Sequence, residues 1–147
     1  MLPRALVIGC GNTLRADDGA AAALIALARR ESADSDVEWL VCQQLTVELA
    51  PRVAECQRLI VIDAATDLPP GAVSVRPLAE AGGAAALTHH LSPEALLAVA
   101  STLYGARPQA FLLTIGCESL ELGEALTLAV QAALPEAAGR LRELLRS

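Results

Sequence analysis

"RALVIGCGNTLRADDGAAAALIALARR", residues 4–30, decides how this chain is read. An apolar run through Val7 and Ile8 ends at a Gly-x-Gly turn, Gly9 to Gly11, as a buried strand does when it reaches a sheet edge. From about Asp18 the composition turns helical, and Arg29 and Arg30 close the segment where cations suit the negative helix terminus. Strand, glycine turn and helix in that order open an α/β unit. The turn also holds an oddity. Asp17 and Asp18 stand side by side before a helix of alanine and leucine, although adjacent like charges repel.

The same alternation runs through the rest of the chain. "DVEWLVCQQ" reads as a second strand, and "TVELAPRVAEC" as a helix with Thr46 as candidate cap and Pro51 as an internal kink. "RLIVIDAA" is a continuous apolar run, the pattern of a strand covered on both faces. "LPPGAVSVRPL" supplies a Pro-Gly turn and a short strand. "SPEALLAVASTLYG" begins with Ser92 as cap, Pro93 at the first helical position and Glu94 in the first turn, and stops at Gly105. "QAFLLTIGC" is another buried strand, and "TLAVQAALPEAAGRLRELLRS" a final helix interrupted at Pro135. The expected fold class is α/β, a sandwich with a largely parallel central sheet, in one domain over residues 1–147.

Composition excludes several function classes. All eleven basic residues are arginine, so neither a Schiff-base lysine nor a Walker-type phosphate loop is available. Net charge is −6 and only one Trp, one Tyr and one Phe are present, which argues against a basic, aromatic-lined nucleic-acid groove. No apolar run approaches the ~18 residues of a membrane span, and the start does not read as a signal peptide. Cys10, Cys42, Cys56 and Cys117 show no C-x-x-C spacing and read as structural thiols of a reducing compartment. A dinucleotide fingerprint fails because Leu14 stands where G-x-G-x-x-G needs its third glycine. The expectation is a cytoplasmic monomer that binds neither nucleic acid nor membrane.

Polar residues gather where an α/β crevice would lie, at the carboxyl ends of strands. Asn12, Asp17 and Asp18 follow the first strand, Asp63 ends the apolar run "RLIVIDAA", and His89 and His90, the two histidines, precede the helix at Ser92. Each has a plain structural reading. Asp17 or Asp18 would cap the helix, Asp63 would accept backbone N–H groups, and two loop histidines would be a solvated turn. Together, two carboxylates and an imidazole form an N/O ligand set for a divalent transition metal, and spacing does not choose among Zn, Cu, Fe and Ni.

These motifs resemble those of the nickel–iron hydrogenase maturation proteases. "VIGCGNTLRADDG", "LIVIDAA" followed by "LPPGAV", and "THHLSPEALL" occur in that family's order and spacing, and "LLTIGCESLELGEALTLAVQAALPE" is similar to its closing strand and helix. The resemblance implies a three-layer α/β/α sandwich. It also implies an endopeptidase that removes the C-terminal extension of a hydrogenase large-subunit precursor after nickel insertion. It implies Asp18, Asp63 and His89 as metal ligands, the nickel being supplied by the precursor, while another divalent metal could occupy the isolated protein. His90 then takes the glutamine position of the family's "HQL", Asp17 is the acid that caps the helix, and Gly9, Asn12, Asp17 and His90 are substrate-binding or supporting residues. Two departures stand out. Asp18 is one methylene shorter than the glutamate often found there, and "CQQLTVELA" replaces a "DGGT"-like turn. "QLTVELA" and "GCESLELGEAL" resemble the variety serving cytosolic nicotinamide-linked hydrogenases. No serine–histidine–aspartate set is legible, so no catalytic nucleophile is assigned. The alternative function is a non-catalytic nickel-binding chaperone or sensor of hydrogenase assembly with the same ligands.

Overall fold

The computed structural model describes residues 4–32, 34–81 and 91–146. Five strands form one sheet in the order β2-β1-β3-β5-β4, where β1 is Ala5–Cys10, β2 Val37–Cys42, β3 Arg58–Ala65, β4 Val73–Leu78 and β5 Gln109–Gly116. All neighbours run parallel except β4, which lies antiparallel on the edge against β5. The helices are α1 (Ala20–Glu31), α2 (Ala50–Glu55), α3 (Pro93–Tyr104) and α4 (Leu128–Arg146).

Alternation of side chains along each strand builds two separate apolar layers. On one face Ala5, Val7, Ile60, Ile62, Leu113 and Ile115 pack against Leu24 and Ile25 of α1 and Val130 and Leu141 of α4. On the other, Leu6, Ile8, Leu59, Val61 and Leu112 pack against Val53 of α2 and Leu96 and Ala100 of α3. The α/β/α sandwich with a largely parallel sheet is therefore realised. Every residue of β1 is buried, as helices on both sides require. No helix among the described residues is long and apolar enough to cross a membrane.

Local signals behave unevenly. Ser92 caps α3 by accepting the Ala95 N–H at 3.1 Å, and Gly105 ends that helix in the left-handed conformation at φ 66°. Thr46 makes no side-chain cap bond, and Pro51 starts α2 in its first turn after a separate 3-10 turn, Val47–Leu49, so it does not kink a longer helix. Proline at that position gives up an N–H that has no intrahelical acceptor anyway. Pro135, expected to interrupt the last helix, sits inside a continuous α4. Val130 and Ala133 before it and Ala137, Ala138 and Leu141 after it are buried in one apolar layer. That burial on both sides offsets the missing bond.

Candidate active site

The strand β1 ends at Cys10, and the chain then turns through Gly11 at φ +145°. A Cβ on Gly11 would lie 1.9 Å from the Asp18 carbonyl oxygen and 3.2 Å from its Oδ1, so only glycine lets the second aspartate fold back over the strand end. Asp18 Oδ2 accepts the Asn12 N–H at 2.6 Å, and Asn12 Oδ1 accepts the Leu14 N–H at 2.9 Å. The two side chains thus tie the turn to itself. Gly9 does different work. A Cβ there would come within 2.7 Å of Ile25 Cδ1, so Gly9 lets α1 lie close on the sheet rather than shaping the turn.

Asp17 is not the cap of α1. Gly19 holds the cap position, without a side-chain bond, and Asp17 lies in the preceding 3-10 turn, Ala16–Gly19. Its carboxylate is completely buried and accepts N–H bonds from Glu118 (2.8 Å), Ser119 (3.1 Å) and Thr127 (2.8 Å), with the Thr127 hydroxyl at 2.8 Å. Burial alone would raise its pKa. The bonds from Thr127, Glu118 and Ser119 outweigh that and hold the carboxyl below its ordinary range. Main-chain bonds from Ala16 N to Gly123 O and from Asp17 N to Ser119 O complete the junction. Asp17 therefore fastens the loop between β5 and α4 to the turn that carries Asp18. The sequence points to a capping acid instead, because no local pattern reveals donors that lie more than a hundred residues away.

Asp63 ends the apolar stretch of β3. Its Oδ1 accepts the neighbouring Ala64 N–H at 2.8 Å. Burial first, and then the charge of Asp18, push its pKa up to about 6. Asp18 and Asp63 line one cleft of about 330 Å³ together with Cys10, Gly11, Gln44 and Ser92. A backbone bond from Leu91 N to Leu45 O, 3.1 Å, joins the loop after β2 to the start of α3 beside this cleft. Two of the three expected ligands thus come together at the carboxyl edge of the sheet. His89 and His90 lie outside the described residues. Among the described residues, no group of three His, Cys, Asp or Glu side chains could hold a metal ion.

The thiols are the feature that sequence reasoning missed. Cys10 and Cys42, read as structural residues, are the last residues of adjoining strands, and their Sγ atoms are 3.8 Å apart. The bond with Cys42, burial, and the charges of Cys42, Asp63 and Asp18 push the Cys10 thiol up, while the bond from Cys10 holds Cys42 low. Cys56 does behave as a structural thiol. It donates to the Val53 carbonyl at 3.3 Å, and burial pushes its pKa up to about 11. The signal was present in the strand ends: "VIGC" and "LVC" each finish on cysteine.

No known protein-family model matches the chain, and no curated protein does. Solved structures do. The hydrogenase maturating endopeptidase HybD from Escherichia coli superposes with a TM-score of 0.76 at 26% identity, covering 97% of this chain and 92% of that one. This chain has the fold of the nickel–iron hydrogenase maturation proteases. The maturation protease HycI from Thermococcus kodakarensis matches with a TM-score of 0.77 at 19% identity, covering 99% of this chain and 94% of that one. HybD from the same archaeon gives 0.71 at 22%, with 96% and 98% covered. At those two identities the agreement is one of fold. The maturation-protease fold spans essentially the whole chain in all three comparisons.

Proposed function

We propose that this protein is a cytoplasmic endopeptidase that removes the C-terminal extension of a nickel–iron hydrogenase large-subunit precursor once nickel is in place. One observation carries the reading: Asp18 and Asp63 face a single cleft at the carboxyl edge of the sheet, in a fold shared with a hydrogenase maturating endopeptidase at 26% identity. In this reading the nickel is the substrate's own cargo, and its arrival in the cleft is what marks a precursor as ready.

The chain's residues divide the task. Asp18 is aimed by its bond from the Asn12 N–H, so its second oxygen stays available to an incoming cation. Asp63 has one N–H donor and a raised pKa of about 6, so its ionised form is poorly compensated until a positive charge arrives. A nickel centre carried by the precursor would supply that charge, with His89 as third ligand. Imidazole with carboxylates is a ligand set that nickel accepts, as Zn, Cu and Fe also do. Asp17 keeps the β5–α4 loop seated behind Asp18 and touches nothing in the cleft.

The test is incubation with a nickel-loaded large-subunit precursor. Loss of the C-terminal extension, seen by mass, with no cleavage of the nickel-free precursor, supports the proposal. Stable association without cleavage would replace it with a nickel-binding chaperone.

A further inference from the structure

The pairing of β1 with β2 puts Cys10 directly opposite Cys42 in parallel register. Side chains opposite each other in parallel strands leave the same face of the sheet. Neighbouring strands lie ~4.8 Å apart, within the ~4.4–6.8 Å that a disulfide needs between Cα atoms. The sulfurs stand 3.8 Å apart. Side-chain rotation can therefore bring them to a bonded distance of ~2 Å without moving the sheet. Access is graded. Cys42 is half-buried, whereas Cys10 is 6% exposed and forms part of the cleft wall with Asp18 and Asp63. Cys56, the other buried thiol, is turned to the Val53 carbonyl.

We propose that Cys10 and Cys42 are a reversible dithiol–disulfide pair at the lip of the carboxylate cleft, oxidised by a low-molecular-weight disulfide of the glutathione class. Cys42, the reachable thiol, attacks one sulfur of the small disulfide as its thiolate. A mixed disulfide forms and one small thiolate leaves. The Cys10 thiolate then attacks the Cys42 sulfur, forming the Cys10–Cys42 bond and expelling the second small thiolate. The two protons lost by the cysteines end on the two small thiols, so one disulfide is reduced for each one formed. The bridge ties together the ends of β1 and β2, and with them the turns holding Gly11 and Gln44. It turns one wall of the cleft from thiol to disulfide. The proposal does not depend on the endopeptidase reading.

The experiment equilibrates the purified chain with mixtures of reduced and oxidised glutathione. Each sample is then quenched in acid, unfolded, alkylated and digested with trypsin without reduction. Cleavage after Arg4, Arg15, Arg30 and Arg52 leaves Cys10 in residues 5–15 and Cys42 in residues 31–52, apart from Cys56 and Cys117. The expected result is one linked species joining those two peptides. It should come from monomeric protein, grow as oxidised glutathione rises and vanish on return to reduced glutathione. Cys10→Ser should instead hold glutathione on Cys42 as a stable adduct, and Cys42→Ser should give neither adduct nor bridge. A wild-type chain that keeps both thiols alkylatable at every ratio would overturn the proposal. So would one that stops at the glutathione adduct, or that links either cysteine to Cys56 or Cys117.

Discussion

Asp17 and Asp18 are neighbours in the chain and live in opposite surroundings. Asp17 has no exposed surface and meets four donors, three of them backbone N–H groups of the loop after β5. Asp18 takes one N–H from its own turn and otherwise faces the cleft, which Asp63, also with a single backbone donor, lines as well. Burial raises the pKa of both Asp17 and Asp63, yet the first ends low and the second near 6. The number of donors decides between them. A buried carboxylate with its lone pairs filled is held ionised, whereas one short of donors beside a second negative charge holds its proton more tightly.

The strongest way to break this contrast is Asp17→Ala. It strands the N–H groups of Glu118, Ser119 and Thr127, each worth ~1–3 kcal/mol when left unsatisfied in the interior. The expected loss is about 3–4 kcal/mol in urea unfolding at neutral pH. That exceeds the ~0.5–2 kcal/mol of a lost helix cap. A loss below ~1 kcal/mol would show that the loop does not depend on Asp17.

The cleft carboxylates should respond the other way. Asp18→Ala removes one acceptor from the Asn12 N–H and is expected to cost only about 1 kcal/mol of stability. The same change, and Asp63→Asn, should slow cleavage of a nickel-loaded precursor by about 100-fold or more, since even residues that merely support a metal ligand are worth ~10–100-fold. Normal processing by either variant would remove that residue from the site.

Acidity separates the two regions by pH window. Asp63 has a folded pKa of about 6, raised above the ordinary 3.8. The folded protein thus binds its proton more tightly than the unfolded chain does. Its contribution is full below pH ~4 and is lost as pH rises through ~6. With solvent screening allowed for, this amounts to about 1–2 kcal/mol. Asp17, lowered in the fold, acts with the opposite sign: its stabilisation is present above the ordinary carboxylate pKa and is lost as pH falls below it. Unfolding free energies of wild type and Asp63→Asn between pH 4 and 7 should differ in slope in that window. Equal slopes would mean that Asp63 is not held short of donors. Replacing Asp18 with Asn should move the Asp63 titration, followed by carboxyl carbon NMR shifts, to lower pH, because it deletes the charge that raises it.

The smallest effect belongs to Ser92, which also lines the cleft. Ser92→Ala removes the acceptor of the Ala95 N–H at the start of α3 and should cost about 1 kcal/mol in thermal or urea unfolding. A much larger loss would mean that this side of the cleft is fastened as firmly as the Asp17 junction.

Much of the architecture could be read from local pattern. Apolar runs ending in glycine or aspartate mark β1 and β3, and "RLIVIDAA" coincides with β3 as it stands in the structure. The Ser92–Pro93–Glu94 start and the Gly105 stop of α3 were legible because caps act within a few residues of themselves. Placing Asp18 and Asp63 on the same edge required only that parallel strands end on one side. Proline was read less well. Whether Pro51 begins a helix or bends one, and whether Pro135 ends one, depends on what packs around it.

The sequence by itself determined the alternation of strands and helices, the two carboxylates at strand ends and the local helix caps. Period, capping and turn chemistry act over a few residues, and each of these features lies within that reach. Only the tertiary structure decided what Asp17 does, because its donors are 101 to 110 residues away. It also decided that Cys10 meets Cys42, 32 residues on, because that contact follows from which strand pairs with which. A carboxylate's role is set by the donors around it and a thiol's by the thiol beside it. In this fold both arrive from distant parts of the chain.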